Sequence, residues 1–256
     1  MNSENDIKVS NLSKSYDGKN LVLSDVSFSI NQGDKVALIG ANGSGKSTLM
    51  KCLIRIENFS SGNIEIKGRN INKLNRSELR KLRSQIGFVF QQHNLSPRLS
   101  VLTNVLHGVQ SRKSGPRTWF QSIASEEDRK EALECLKQVG LEDFASRRAE
   151  QLSGGQSQRV AIARALMQRP KILLADEPVA SLDPHAGEEV MKIFHQLCCD
   201  RGITLLFCTH HLDHARSFSS RVIGLKHGKL EVDIPASQAN PDQLDGFYVV
   251  NSKGAA

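Results

Sequence analysis

A mostly apolar run, Lys35-Val36-Ala37-Leu38-Ile39, leads directly into Gly40-Ala41-Asn42-Gly43-Ser44-Gly45-Lys46-Ser47, and helical spacing takes over from Ser47 to Ile56. Few folds accept this sequence of events. The run suits a strand buried on both faces, the loop must turn on small residues, and the helix has to begin at once. The spacing fits the P-loop pattern, in which glycines let backbone N–H groups face phosphate oxygens at the positive end of the following helix. In that pattern Lys46 reaches the β and γ phosphates, Ser47 ligates Mg²⁺ through its hydroxyl, and Thr48 follows in the contact set. A glycine-rich turn that matches by accident is the competing reading, and the strand and helix flanks weigh against it.

Leu173-Leu174-Ala175-Asp176-Glu177 offers a second piece of the same chemistry. An apolar strand ending in Asp176 presents a carboxylate to Mg²⁺, usually through water. Glu177 follows immediately, where a general base would orient or deprotonate water. An acidic pair capping a strand is common in any α/β protein; downstream of a P-loop lysine it reads as catalytic.

Leu152-Ser153-Gly154-Gly155-Gln156 opens another helix. Ser153 and Gln156 stand at capping-box spacing, a local role that explains both. It does not explain Gly154 and Gly155, which destabilise a helix start relative to alanine. Adjacent glycines at a helix N-terminus permit close approach of an anion.

With all three motifs in hand the chain resembles the ATP-binding-cassette (ABC) family, for which the motif at 152–156 is the signature. The resemblance covers nearly the whole chain, from Ile7 to about Leu230. It implies an α/β fold: a P-loop NTPase cassette with a RecA-like core, an N-terminal antiparallel β region and a helical signature subdomain. It also implies ATP and Mg²⁺ as cofactors, with Ser47, Gln91 and Asp176 toward the metal. The signature, Ser153 to Gln156, would grip the γ-phosphate held by the P-loop of a second copy, forming a homodimer around two ATP molecules. Tyr16 matches the aromatic that stacks on adenine. Gln91, rather than its neighbour Gln92, matches the glutamine that senses Mg²⁺ and contacts the membrane partner. Asp183, in Ser181-Leu182-Asp183, matches the loop crossing the dimer interface. His210, rather than His211 or His214, matches the switch histidine near the γ-phosphate.

Within the family, several stretches are similar to the ATPase subunits of phosphonate importers: Leu95 to Val101, Asn104 to Gly108, Ala165 to Pro170, and Val179-Ala180 inside Asp176 to Pro184. The loop holding Trp119 also fits that subgroup. Ser157 departs from it, standing where another glutamine is usual, as do Thr209 and His211. The departures leave phosphite, another small oxyanion or an amino acid as alternative cargo. This likeness implies permease subunits as partners, an indirect periplasmic or surface substrate-binding protein, and a peripheral place on the cytoplasmic face of the inner (plasma) membrane. No nucleic-acid partner is expected. A soluble cassette acting on nucleic acid or ribosomes usually carries two cassettes or a long coiled-coil insert, and no sustained heptad run is present. An exporter's detached ATPase differs only in the direction of transport.

Elsewhere, alternation predicts strands at Ile7–Leu12 and Val26–Ile30, with further strands at 63–66, 86–90, 171–176, 203–208, 221–225 and 229–232. Helices are expected at 76–83, from Ser125-Glu126-Glu127-Asp128 to about Val139, through Met167, and over 186–197. A single cassette is expected over 7–232, with a helical subdomain at about 92–168, a loop or short helix from Gln110 to Ala124, and a short polar C-terminal tail over 233–256.

Composition agrees with a soluble domain. The hydrophobic fraction is 39%, and no apolar run approaches the roughly 20 residues of a membrane span. The polar opening Met1 to Asp6 does not read as a secretory signal. Five cysteines lie without metal-ligand spacing and read as core-filling thiols, Cys198 and Cys199 pointing to different faces of a helix. Part of the net charge of +7 falls between Lys67 and Arg83, where few aromatics are available to stack on bases, so it reads as a solvated face.

Overall fold

The computed structural model describes residues 5–113, 115, 121–240, 244 and 247. The chain divides into two compact units, one taking the chain up to Lys73 and again from Leu206, the other running Leu74–Leu205.

The first unit opens with β1 (Asn5–Ser15) and β2 (Leu21–Asn31), antiparallel with Val9 opposite Phe28 and Leu12 opposite Val26. Both strands outrun their expected bounds, because the ladder continues, with Lys14 opposite Leu23 and Ser15 opposite Leu21, through register shifts that break the alternation. Next come β3 (Lys35–Ile39), α1 (Lys46–Leu53), β4 (Ser61–Ile66) and the two-residue β5 (Arg69–Asn70). β4 lies antiparallel on β1, with Ile64 opposite Val9, which gives the sheet order β2-β1-β4-β5. This is the expected antiparallel β region. In β3, Val36 to Ile39 are all buried. Each large side chain contributes on the order of 1.5–3 kcal/mol, so the strand feeding the glycine-rich loop is firmly anchored.

In the second unit, α2 (Arg76–Arg83) begins at a capping box: Glu78 N donates to Asn75 Oδ1 at 3.0 Å and Asn75 N to Glu78 Oε2 at 2.8 Å. β6 (Ile86–Val89) follows. The expected helical subdomain opens without a helix at 92–100: α3 begins only at Val101 and ends at Leu106, continuing as a 3-10 turn over His107–Ser111. The cause is Asn104, which is fully buried. Its Oδ1 accepts from Ser96 N at 2.7 Å, and its Nδ2 donates to Ser96 O at 3.2 Å and Ser100 O at 3.0 Å. These bonds stand in for a helical ladder and hold the segment as a shaped loop.

α4 (Glu126–Gln138) starts at the expected cap, with Asp128 N donating to Ser125 Oγ at 3.2 Å. α5 (Gly154–Leu166) starts at Ser153. Glu131 of α4 joins two arginines, accepting from Arg112 Nη2 at 3.0 Å and from Arg169 Nε at 2.7 Å. β7 (Ile172–Ala175) runs parallel to β6 with Val89 opposite Ala175, and α6 (Pro184–Asp200) follows. Proline at the first helical position and Asp183 as cap explain why this helix starts before the expected Ala186. β8 (Thr204–Thr209) carries the chain back to the first unit.

There α7 (Leu212–Phe218), β9 (Arg221–Lys226) and β10 (Lys229–Pro235) complete the structure. β9 is parallel to β3 and antiparallel to β10. β10 extends three residues past the expected cassette bound at Val232. Within the stretch read as a polar tail, Ala236, Ala239, Leu244 and Phe247 are buried. Phe247 lies against Gly224, where an added Cβ would come within 2.8 Å of Phe247 Cε1. Apolar residues this sparse leave no periodic signal. The expected loop or short helix from Gln110 to Ala124 begins inside the 3-10 turn, and its Trp119 lies outside the described residues.

Candidate active site

In the first unit, the glycine-rich loop joins β3 to α1 as expected. Gly45 caps α1 at φ 104, in the left-handed region, and as glycine brings no side chain to the helix's first N–H groups. A Cβ at Gly45 would sit 2.9 Å from both Leu23 Cδ2 and Val22 O, so the position needs glycine for conformation and for space. Lys46 is buried and donates from Nζ to Gly40 O at 2.9 Å and to Ala41 O at 3.3 Å, which turns the ammonium back over the loop. Ser44 Oγ is buried and lacks a hydrogen-bond partner among the described residues. Ala41, Asn42 and Gly43 form the open arc of the loop, with Ser47 exposed and Thr48 half-buried behind it. A helix start capped by glycine, a buried cation and an orphaned hydroxyl fit a polyanion such as a nucleotide phosphate chain, and an exposed Ser47 hydroxyl fits an Mg²⁺ bound to it.

Two more expected residues belong to this unit. Tyr16 is 60% exposed, with Lys14 Nζ 4.3 Å from its ring centroid. Asp17 braces the turn beyond it, accepting from Lys19 N at 2.9 Å and Asn20 N at 2.8 Å; these bonds hold its carboxyl well below the usual carboxylate range. His210 follows β8 and is exposed. His211 N donates to Thr209 Oγ1 at 3.0 Å, a turn that sets the His211 ring 4.2 Å from that of His210.

In the second unit, Asp176 ends the strand that leads from β7, its N–H bonded to Val89 O at 2.9 Å, and is 7% exposed. Glu177 next to it is half-buried at φ 48, a left-handed conformation that a non-glycine residue adopts at a cost of about 1 kcal/mol or more. Strain of this kind collects where a side chain has to be aimed. Gln91 and Gln92 are both exposed, two and three residues beyond β6.

The signature reads as both of its interpretations. Gln156 N donates to Ser153 Oγ at 3.2 Å, and Ser153 N to Gln156 Oε1 at 3.0 Å, so the capping box is complete. Gly154 and Gly155 leave the helix start open: their Cβ positions would meet only Leu182 Cδ2 at 3.1 Å and Ala186 Cβ at 3.7 Å. Leu182 belongs to the loop that ends in Asp183, whose Oδ1 accepts from Ala186 N at 3.0 Å as the cap of α6. Together Ser153 to Gln156 and Ser181 to Asp183 border a cavity of about 410 Å³. Arg159 and Glu189, paired at 2.7 Å, line it as well. The structure therefore brings the signature and the Asp183 loop together within one unit.

Sequence reasoning missed Asn104 as the organiser of residues 96–100, and it missed Arg164. The available signals were a lone amide in the apolar helix 101–106 and a lone charge in the apolar run Ala161 to Leu166.

The comparisons with known proteins agree with one another. The family model described as ABC transporter matches residues 23–180. The phosphonates import ATP-binding protein PhnC 2 of Oceanobacillus iheyensis is 41% identical, over 94% of this chain and 95% of its own. The phosphonates import ATP-binding protein PhnC of Lactococcus lactis is 43% identical, over 94% of this chain and 98% of its own. Among solved structures, the ATP-binding cassette MJ0796, dimeric in a post-hydrolysis state with ADP and Pi bound, is 39% identical at a TM-score of 0.79, covering 90% of this chain and 98% of that one. CbiO1 of Clostridium perfringens, part of an ABC transporter complex, is 31% identical at a TM-score of 0.81, over 96% and 93%.

Proposed function

The chain belongs to the ABC transporter family, and on that footing we propose that it is the ATP-hydrolysing subunit of a phosphonate importer. The observation that carries the reading is the open helix start at Ser153 to Gln156, set beside the Asp183 loop around one cavity. A P-loop alone would suit any nucleotide-binding protein. A second glycine-lined helix start, with its own cap already satisfied, is a phosphate grip looking for a phosphate that another copy brings. The cargo follows from the relatives' names, which extend over nearly the full chain.

The division of labour follows from the side chains. The loop Gly40 to Gly45, with Lys46 and Thr48, holds the phosphate chain, and Tyr16 stacks on the adenine. Ser47, Asp176 and Gln91 would hold Mg²⁺, which would supply positive charge against the phosphate oxygens. Glu177 orients the attacking water and accepts its proton, and His210 contacts the γ-phosphate. Ser153, Gly154, Gly155 and Gln156 of the second copy close over the same nucleotide, with Asp183 at the seam. Binding of two ATP molecules adds charge-assisted contacts across the homodimer, and loss of the γ-phosphate removes them. The closure and opening drive permease subunits that contact the Gln91 region, fed by an outer substrate-binding protein.

No described helix is long and apolar enough to cross a membrane. The subunit works at the periphery, on the cytoplasmic face of the inner (plasma) membrane, as a single cassette whose helical subdomain, about 92–168, carries the signature.

The test is growth on a phosphonate as sole phosphorus source in a strain lacking this protein. The parent chain restores growth and Lys46→Ala does not, while calorimetry shows that this variant no longer binds ATP. Growth that depends on the chain with phosphite but not phosphonate would reassign the cargo. Unchanged ATP affinity in Lys46→Ala would reject the P-loop assignment.

A further inference from the structure

Arg164 lies on α5 about three turns beyond Ser153, in the run Ala161-Ile162-Ala163-Arg164-Ala165-Leu166 whose other five members are all buried. Its guanidinium donates from Nη1 to Asn94 O at 2.6 Å and from Nη2 to His93 O at 2.8 Å. Those carbonyls belong to the irregular loop that starts at Gln91, and Asn94 sits there at φ 49. A guanidinium offers two donors fixed in one plane, which lets it hold two consecutive carbonyls; an ammonium has no such fork. The helix itself cannot drift at this level. A Cβ on Gly108 would come within 2.3 Å of Arg164 O, so the turn after α3 already packs on the helix backbone.

A cavity of about 330 Å³ separates the two parts joined this way. His93, Leu95 and Pro97 form its loop wall, and Glu150, Leu152 and Ser157 form the wall around the signature.

We propose that Arg164 is a positioning residue that ties the Gln91 loop to the helix beginning at Ser153, so that the two move as one body. The proposal rests on the roles assigned above to Gln91 and Ser153. A push delivered to the Gln91 side then reaches the phosphate grip directly, and closure on the partner's nucleotide reaches back to the same loop.

Two variants of the full chain test it, Arg164→Lys, which keeps the charge without the fork, and Arg164→Gln, which keeps a donor without the charge. Backbone ¹⁵N order parameters of residues 92–95 should fall from about 0.85, the rigid value, to below about 0.6, while those of α5 stay rigid. ATP turnover should fall about three- to ten-fold in kcat with KM for ATP held within about two-fold, the pattern of a misplaced group rather than a lost binding contact. Order parameters unchanged at 92–95 would overturn the proposal. So would a loosening that spreads equally through α5, or a mobile loop with parental kcat. Insolubility of both variants would assign Arg164 to folding alone and overturn it as well. If the parent chain itself fails to hydrolyse ATP, the functional reading above falls, and the order parameters alone decide whether the tie exists.

Discussion

Ser153 and Gln156 satisfy one another at the start of α5, each backbone N–H bonded to the other's side chain. In this pair the Ser153 hydroxyl spends a lone pair and keeps its own proton to donate. Capping and phosphate contact can therefore be separated by mutation. Ser153→Ala loses the cap and should cost about 1 kcal/mol of stability. Ser153→Asp keeps a cap of equal quality but places a carboxylate where a phosphate has to land. Its thermal midpoint should stay within about 2 °C of the parent, while ATP-dependent dimers disappear in light scattering. An Asp variant that dimerises normally would remove Ser153 from the anion contact.

Glu177→Gln tests the general base. The substitution preserves shape, and the left-handed backbone at this position places the same demand on either residue. Turnover should fall about 100- to 10,000-fold, with ATP still bound and the closed dimer accumulating. Hydrolysis at the parental rate would place the base elsewhere.

Glu131 should report in acid. Burial raises its pKa, but bonds from Arg169 and Arg112 outweigh that and leave it below the ordinary value of 4.5. A depressed folded pKa gives stability that is complete above the unfolded value and is lost as pH falls through the folded one. Asp128 behaves alike: its burial is outweighed by Lys113 and Ser125. Thermal midpoints should hold from neutral pH to about 5 and then decline. Glu131→Gln should begin lower at pH 7 and decline less steeply. A parallel curve would mean that the carboxylate contributes nothing through its charge.

The cysteines give a chemical check on the packing. Burial pushes the Cys52 and Cys135 thiols up to about 11, Cys198 and Cys208 are buried, and Cys199 alone of the five is exposed. A native-state thiol titration at neutral pH should find one fast equivalent, absent in Cys199→Ser, and the rest only after denaturation. Two fast equivalents would contradict the burial of the other four thiols.

The parts of the fold that were legible in the sequence are those where one local cause dominates. Ser125 capping α4, the buried run of β3 and the Ser153–Gln156 box each follow from residues within a turn of one another. The rest depends on partners distant along the chain. Residues 92–100 read as part of a helical subdomain until Asn104, reaching back eight residues to Ser96, claims their backbone groups. The extension of β10 and the burial of Phe247 come from the neighbouring strand β9 and Gly224. Among the candidate residues, each motif was readable as a string, because glycine requirements and strand ends are local. Arg164 was not, since its significance lies in two carbonyls about seventy residues earlier in the chain.

The ammonium of Lys46 already rests on oxygen, lent by Gly40 and Ala41. An enclosed cation with bare surroundings would cost several kcal/mol, and here the main chain solvates it in advance. An arriving nucleotide is thus a competitor, exchanging phosphate oxygens for carbonyl oxygens at a single nitrogen. Any phosphate that takes the ammonium therefore has to outcompete two carbonyls rather than fill a void.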